Sequence, residues 1–271
     1  MIPVLLPLAA AGFATTSPCA FLTREQGKNR ELQTLLESRG VATLELPCIS
    51  FQRTDGFDRL CATLSDAREP LLTRHPWVVI TSPAAAAIFA EAWAESQTSA
   101  SKPSIASVGV GSAKVLAAAG LAVDFLPSKA DGKTLAAELP AEHLAEASAG
   151  SVLFPSSALA ENTIAEGLAE RGLRTQRIDT YTTVPADWAP ADLARAKAAR
   201  LVTFGSPSAV RVWAERVGTA AAAVCIGETT AAEARICGFA EVVAPASPGR
   251  NRKALTEAWA ACCAEAVEKM R

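Results

Sequence analysis

Val78-Val79-Ile80-Thr81-Ser82-Pro83-Ala84-Ala85-Ala86 and Val202-Thr203-Phe204-Gly205-Ser206-Pro207-Ser208-Ala209-Val210 follow one plan. In each, a short apolar run with β-branched residues gives way to serine, then proline, then helix-forming residues. The run reads as a buried strand, the serine as a helix N-cap, and the proline as the first helical residue, where a missing N–H costs nothing. A strand that turns directly into a helix, twice in one chain, is the mark of α/β architecture with parallel sheets.

Working outward, further apolar runs predict strands at Ala20–Thr23, Trp77–Thr81, Ile105–Val108, Ala122–Leu126, Val152–Pro155, Leu201–Phe204, Ala222–Ile226 and Glu241–Ala244, with Ala-rich helices between them. One helix is predicted over about 27–38, with Leu32, Leu35 and Leu36 on one face and Gly40 as its stop. A second is predicted over about 160–170, with Ile164 and Leu168 on one face and Gly172 as its stop. Both end in Arg-Gly, and the two Arg-Gly pairs lie 132 residues apart.

That echo belongs to an internal repeat. Gly109 and Gly227, Ser112 and Thr230, Gly120 and Gly238, and Pro127 and Pro245 are each 118 residues apart, while the Ser-Pro pairs are 124 apart. The economical account is two similar α/β lobes with a ligand-binding cleft between them. Two extended, proline-marked segments, 44–51 and 177–185, read as connectors that form a short two-stranded hinge.

Composition narrows the chemistry. Half of the 271 residues are hydrophobic and a fifth are charged, so the chain can bury a core. Its 26 Lys+Arg against 28 Asp+Glu give a net charge of -2 with no basic block, which argues against nucleic acid as a partner. His75 and His143 are the only histidines, too few for a His-rich metal site or a Ser/His/Asp triad. The seven cysteines show no CxxC pair and read as reduced thiols filling the core. The run from Val4 to Ala14 is too short to span a bilayer and lacks the basic flank of a targeting signal, so it reads as a targeting remnant or an apolar tail. No membrane partner is expected.

Candidate chemistry gathers where strands turn into helices. Thr81-Ser82-Pro83 and Ser206-Pro207-Ser208 are caps on the plain reading. Facing one another, they would also offer N–H groups and helix-dipole ends to an anion. Gly109-Val110-Gly111-Ser112 and Gly227-Glu228-Thr229-Thr230 repeat the device, and Phe154-Pro155-Ser156-Ser157 adds a further hydroxyl-rich strand end. Lys114 stands where a dinucleotide fingerprint needs its third glycine, which sets a nucleotide cofactor aside. Tyr181, the single tyrosine, lies in a connector, either as a structural bridge between lobes or as a phenol aimed into the cleft.

Thr23-Arg24-Glu25-Gln26-Gly27-Lys28-Asn29, Leu44-Glu45-Leu46-Pro47, Ile80-Thr81-Ser82-Pro83, Tyr181-Thr182-Thr183-Val184-Pro185, Ser206-Pro207-Ser208-Ala209-Val210-Arg211 and Cys225-Ile226-Gly227-Glu228-Thr229-Thr230-Ala231, in this order, resemble the uroporphyrinogen-III synthase family in its plant and algal plastid branch. The resemblance departs at Gly111-Ser112, where the other half has a hydroxyl pair, and at Gly205, where many relatives carry a bulkier residue.

The resemblance implies two flavodoxin-like parallel-sheet lobes joined by a two-stranded β hinge. Lobe one would comprise 19–47 with 186–271 and lobe two 50–180, with 1–18 as an apolar lead. It implies cyclisation of the linear tetrapyrrole hydroxymethylbilane to uroporphyrinogen III, with inversion of ring D and loss of water, without metal or organic cofactor. Lobe closure would fold ring D back and exclude the straight closure. By the same resemblance Tyr181 is the catalytic hydrogen-bond donor nearest the departing hydroxyl. Arg24, Thr81, Ser82, Ser112, Lys133, Ser156, Ser206, Ser208, Thr229 and Thr230 hold the substrate's carboxylates. A monomer in the plastid stroma, with transient hand-over from hydroxymethylbilane synthase, completes the expectation. The alternatives are a cytoplasmic protein and, in function, a two-lobed small-anion binding or sensor module.

Overall fold

The computed structural model describes residues 19–66, 71–96, 102–140, 151–246 and 252–270, so the Val4–Ala14 run and His143 lie outside the described residues. In chain order the described elements are β1 (Cys19–Leu22), α1 (Arg30–Glu37), β2 (Ala42–Glu45), β3 (Ile49–Arg53), α2 (Gly56–Ser65), α3 (Leu71–Arg74), β4 (Trp77–Ile80), α4 (Pro83–Glu95), β5 (Ser104–Ser107) and α5 (Val110–Ala118). Then follow α6 (Gly132–Glu138), β6 (Val152–Ser157), α7 (Thr163–Glu170), β7 (Thr175–Pro185), α8 (Pro190–Lys197), β8 (Leu201–Phe204), α9 (Pro207–Arg216), β9 (Ala222–Cys225), α10 (Glu228–Ile236), β10 (Val242–Val243) and α11 (Arg252–Lys269).

Two compact units result. Unit 1 is formed by residues up to 50 and from 185 onward, and unit 2 by 51–184. The sheet of unit 1 has the order β10-β9-β8-β1-β2, and all its pairings are parallel. That of unit 2 has the order β3-β7-β6-β4-β5, parallel from β7 through β5. In each, neighbouring strands are joined through helices, the flavodoxin-like α/β arrangement expected from the alternation of apolar runs and Ala-rich stretches.

Helices cover both faces of each sheet, so the central strands β4, β8 and β9 are buried along their whole length and their sequences are apolar but for Thr203, whose hydroxyl donates to the Phe21 carbonyl at 3.0 Å. In unit 1, Phe21, Val202 and Phe204 pack with Trp213 and Phe239 on one face, while Ala20, Leu22 and Leu201 pack with Leu32, Leu36 and Trp259 on the other. In unit 2, Val78, Ile80, Leu153 and Ile178 meet Phe89 and Leu116, and Trp77, Val79 and Phe154 meet Leu135, Ile164 and Leu168. Gly40 and Gly172 end α1 and α7 with φ of 70° and 73°, a left-handed backbone that side chains beyond Cα disfavour.

The structure departs from the sequence expectations in four places. Ala122–Leu126 is no strand: Phe125 makes one isolated bridge to Ala106, and the Asp124 carboxylate accepts the Ile105 N–H at 2.8 Å. Segment 44–51 is not one connector, because Leu44 and Glu45 complete β2, and β3 starts only at Ile49, after Pro47. Segment 177–185 lies within β7, which pairs with β3 as the two-stranded expectation requires but is also hydrogen-bonded to β6, so it belongs to a sheet and is more than a connector. Finally, α1 and α7 begin at Arg30 and Thr163, three residues later than their patterns suggest, because polar turns precede them.

The chain passes from unit 1 to unit 2 after Ser50 and back before Pro185. Residues 181–184 therefore belong to unit 2, beyond the expected limit at 180. All seven cysteines are free thiols, and burial pushes those of Cys48 and Cys225 up to about 12. Among the described residues no helix is long and apolar enough to cross a membrane, and no group of three or more His, Cys, Asp or Glu could hold a metal ion.

Candidate active site

At the carboxyl end of β4 in unit 2, Ser82 caps α4. Its extended backbone (φ -146°, ψ 157°) turns the side chain back so that Oγ accepts the Ala85 N–H at 3.0 Å, and Pro83 takes the first helical position. The same Oγ lies 2.9 Å from the Tyr181 hydroxyl, a hydrogen bond in which either oxygen can donate. The ring of Tyr181 is buried and packs edge-on against Phe51 at 5.5 Å. Burial raises the phenol's pKa, with the Ser82 bond pulling weakly the other way, so the hydroxyl is neutral and able to donate at physiological pH.

Thr81, the residue before Ser82, lines a pocket of about 510 Å³ together with Lys129, Asp131, Gly132, Lys133, Phe154, Ala160, Glu161, Thr163 and Ile164. It sits at the ends of β4 and β6, adjacent strands whose connections leave in opposite directions, which is where open α/β sheets present crevices. Lys133 is exposed, and Lys129 pairs with Asp131 at 3.0 Å. The Thr134 N–H and Lys129 hold the Asp131 carboxyl at about 2, so it stays ionised and anchors the start of α6.

Unit 1 carries the same devices. Ser206 caps α9 with φ -159° and ψ 155°, accepting the Ala209 N–H at 3.4 Å, and its Oγ lies 3.1 Å from Ser208 Oγ. The Arg24 side chain passes over Gly205 so closely that a Cβ there would come within 2.7 Å of Arg24 Cγ, which explains why this position carries glycine. Gly227 caps α10, leaving Thr229 exposed one residue inside the helix. A pocket of about 440 Å³ opens here among Gly227, Glu228, Arg235 and residues 242–246.

Of the residues singled out from sequence, the structure therefore joins Ser82 to Tyr181, Thr81 to Lys133, Arg24 to Gly205, and Ser206 to Ser208. It does not display the others equally. Ser112 and Thr230, in matching positions near the starts of α5 and α10, are each 3% exposed. Ser156, expected among the carboxylate-holding groups, is fully buried, and its Oγ donates to the Ser157 carbonyl at 2.9 Å because β6 runs on through this residue into the sheet. Tyr181 packs in the core of unit 2, which corrects the reading of its segment as a bare connector. Missing from the sequence reading were Lys129, Asp131 and Arg177. The lysine and aspartate are common surface types in a polar loop, and Arg177 was hidden in a stretch read as a connector.

The chain can be compared with known proteins. The family model for uroporphyrinogen-III synthase HemD matches residues 30–252. The chloroplastic uroporphyrinogen-III synthase of rice, Oryza sativa subsp. japonica, is 41% identical over 243 residues, covering 86% of this chain and 77% of the rice protein. Among solved structures, a mutant uroporphyrinogen III synthase from the extremely thermophilic bacterium Thermus thermophilus superposes with a TM-score of 0.55 at 17% identity, covering 93% of this chain and all of the other. The uroporphyrinogen-III synthetase of Helicobacter pylori 26695 gives 0.53 at 14%, with 89% and 97% covered. The two structures support the fold alone. The family match and the rice relative, which runs nearly the length of the chain, settle kinship: this chain belongs to the uroporphyrinogen-III synthase family.

Proposed function

We propose that the chain cyclises hydroxymethylbilane to uroporphyrinogen III, with inversion of ring D and net loss of one water, and that Tyr181 assists departure of the hydroxyl. The observation that carries the role of Tyr181 is its hydroxyl held at 2.9 Å by the capping Ser82, at a strand end where helix N–H groups also point. The bilane's own pyrrole expels its hydroxyl, so the protein need supply only a donor to the leaving oxygen and a shape that favours attack by the substituted carbon of ring D. A phenol kept neutral by burial suits the first task.

Thr81 and Lys133, in the pocket of unit 2, and Arg24, Ser206, Ser208 and Thr229, at the strand ends of unit 1, are the groups available to the substrate's carboxylates. Ser112 and Thr230 shape the helix starts from beneath. Kinship with a chloroplastic rice enzyme supports residence in a plastid, and action as a monomer supplied by hydroxymethylbilane synthase belongs to the same reading. The test is to incubate the purified protein with fresh hydroxymethylbilane, oxidise, and resolve the type I and type III uroporphyrins. Type III above the enzyme-free control is expected. Type I alone would reject the synthase and leave an anion-binding module.

A further inference from the structure

Arg177 stands on β7 directly opposite Phe154 of β6. Its guanidinium reaches the loop that follows β6. Nη1 donates to Asn162 Oδ1 at 2.6 Å and to the Glu161 carbonyl at 3.5 Å. Nη2 donates to the carbonyls of Ser157 at 3.1 Å and Ala160 at 3.0 Å, while Nε pairs with Asp179 at 2.7 Å. Four of these acceptors thus lie between residues 157 and 162. A rigid, planar fork can satisfy several carbonyls at once, which an ammonium group on a flexible stem does poorly.

The loop so held supplies Ala160 and Glu161 to the wall of the 510 Å³ pocket and leads straight into Thr163 and Ile164, which also line it. Unit 1 uses the equivalent position for the equivalent job. Leu22 and Glu45 are register partners in one sheet and Phe154 and Arg177 in the other, and each residue of the second pair lies 132 positions beyond its counterpart in the first. Glu45 accepts from Asn29 Nδ2 at 2.7 Å, and the same amide donates to the Arg24 carbonyl at 2.9 Å, pinning the loop after β1. Loop-holding from this strand position therefore occurs twice, once with an anion and once with a cation.

We propose that Arg177 is a positioning residue: by fixing the loop 157–162 it sets the shape of the Thr81/Lys133 pocket, and thereby how firmly an acidic side chain of the bilane is held there. The inference deepens the reading that this pocket takes substrate and rests on it. Arg177 itself need not touch the substrate.

The experiment measures kcat, KM and melting temperature for the wild type, Arg177→Lys, Asn162→Ala and the control Arg171→Gln. Arg171 also ties α7 to α6, through the Ala136 and Leu139 carbonyls at 2.7 and 2.8 Å, but at the other end of the helix pair. Arg177→Lys should raise KM about tenfold with kcat changed by less than about threefold, the mark of lost ground-state binding. Asn162→Ala should move KM the same way by about threefold. Arg171→Gln should lower only the melting temperature. An unchanged KM in both loop variants, or an equal rise in Arg171→Gln, overturns the inference. If Arg177→Lys fails to fold, Asn162→Ala decides alone. A wild type that yields only type I product would instead overturn the proposed reaction, an outcome distinct from an active wild type with indifferent loop variants.

Discussion

The two units hold equivalent strands in the same order but receive the chain at different points. Unit 1 runs β2-β1-β8-β9-β10, and unit 2 runs β7-β6-β4-β5 with β3 added beyond β7. Register and spacing make β1 the counterpart of β6, β2 of β7, β8 of β4 and β9 of β5. Yet unit 1 begins with the β1–β2 half and unit 2 with the β4–β5 half. The strand-end devices survive this recutting: Ser82 and Ser206 cap alike, and Gly109 and Gly227 start helices alike. They depend on a few neighbouring residues, whereas the order in which a sheet is threaded depends on the whole chain. The units then diverge in what the caps serve. Ser82 holds a phenol, and Ser206 holds only Ser208.

The largest effect should separate the units by stability. Unit 1 is centred on Trp213, in edge contact with Phe21, Trp188 and Phe204 at 5.5 to 6.2 Å, whereas the aromatic rings of unit 2 are spread over two faces, with Phe89 beside Trp93 on one and Trp77 beside Phe125 on the other. Trp213→Ala should cost about 3–5 kcal/mol and split denaturant unfolding into two steps, with unit 1 first. A single, barely shifted transition would show that the aromatic cluster does not dominate unit 1. Next comes chemistry: Tyr181→Phe should lower kcat by about 10- to 100-fold, about 1.4–3 kcal/mol in the barrier, with the fold intact. Complete loss of turnover with bilane still bound would make the phenol an obligatory acid.

Removing the matched caps sharpens the comparison further. Ser82→Ala and Ser206→Ala should each cost about 1 kcal/mol of stability, but the first should also lower kcat, because it releases Tyr181, whereas the second should act on KM alone, through a lost carboxylate contact. Equal kinetic effects would mean that the Tyr181 contact is idle. The smallest effect expected is one of pH. His75 is buried in unit 2, and desolvation depresses its pKa below 6.5. Well above pH 6.5 it is neutral whether the chain is folded or not. As the pH falls below that value, the unfolded chain takes up the proton first, so unit 2 loses stability while unit 1, which has no histidine, does not. Amide exchange along Trp77–Ile80 should therefore quicken relative to Leu201–Phe204 between pH 7 and 5. Parallel changes in both strands would contradict this.

Much of this architecture was legible in the sequence, where local chemistry writes it. Leu201–Phe204 reads as a strand because both its faces are buried, and Ser-Pro reads as a cap because the backbone needs one there. Ala42–Glu45 was not legible, since its polar residues suit an edge strand exposed to water, and Ala122–Leu126 misled because its apolar pattern is overruled by one carboxylate. Among the candidate site residues, the hydroxyl-rich turns announced themselves. The contact of Ser156 with Asp179, 23 residues on, and the reach of Arg177 to a loop 15 to 20 residues back span separations that no local pattern encodes.

Arg24 lies in the room that a missing methyl leaves at Gly205, so the two positions are not free to vary separately. A lineage that gained a side chain at 205 would first have had to shorten or redirect the residue at 24. Members of this family should therefore sort into two kinds, those with a long cation over a bare backbone and those with bulk at the turn and a smaller neighbour across from it.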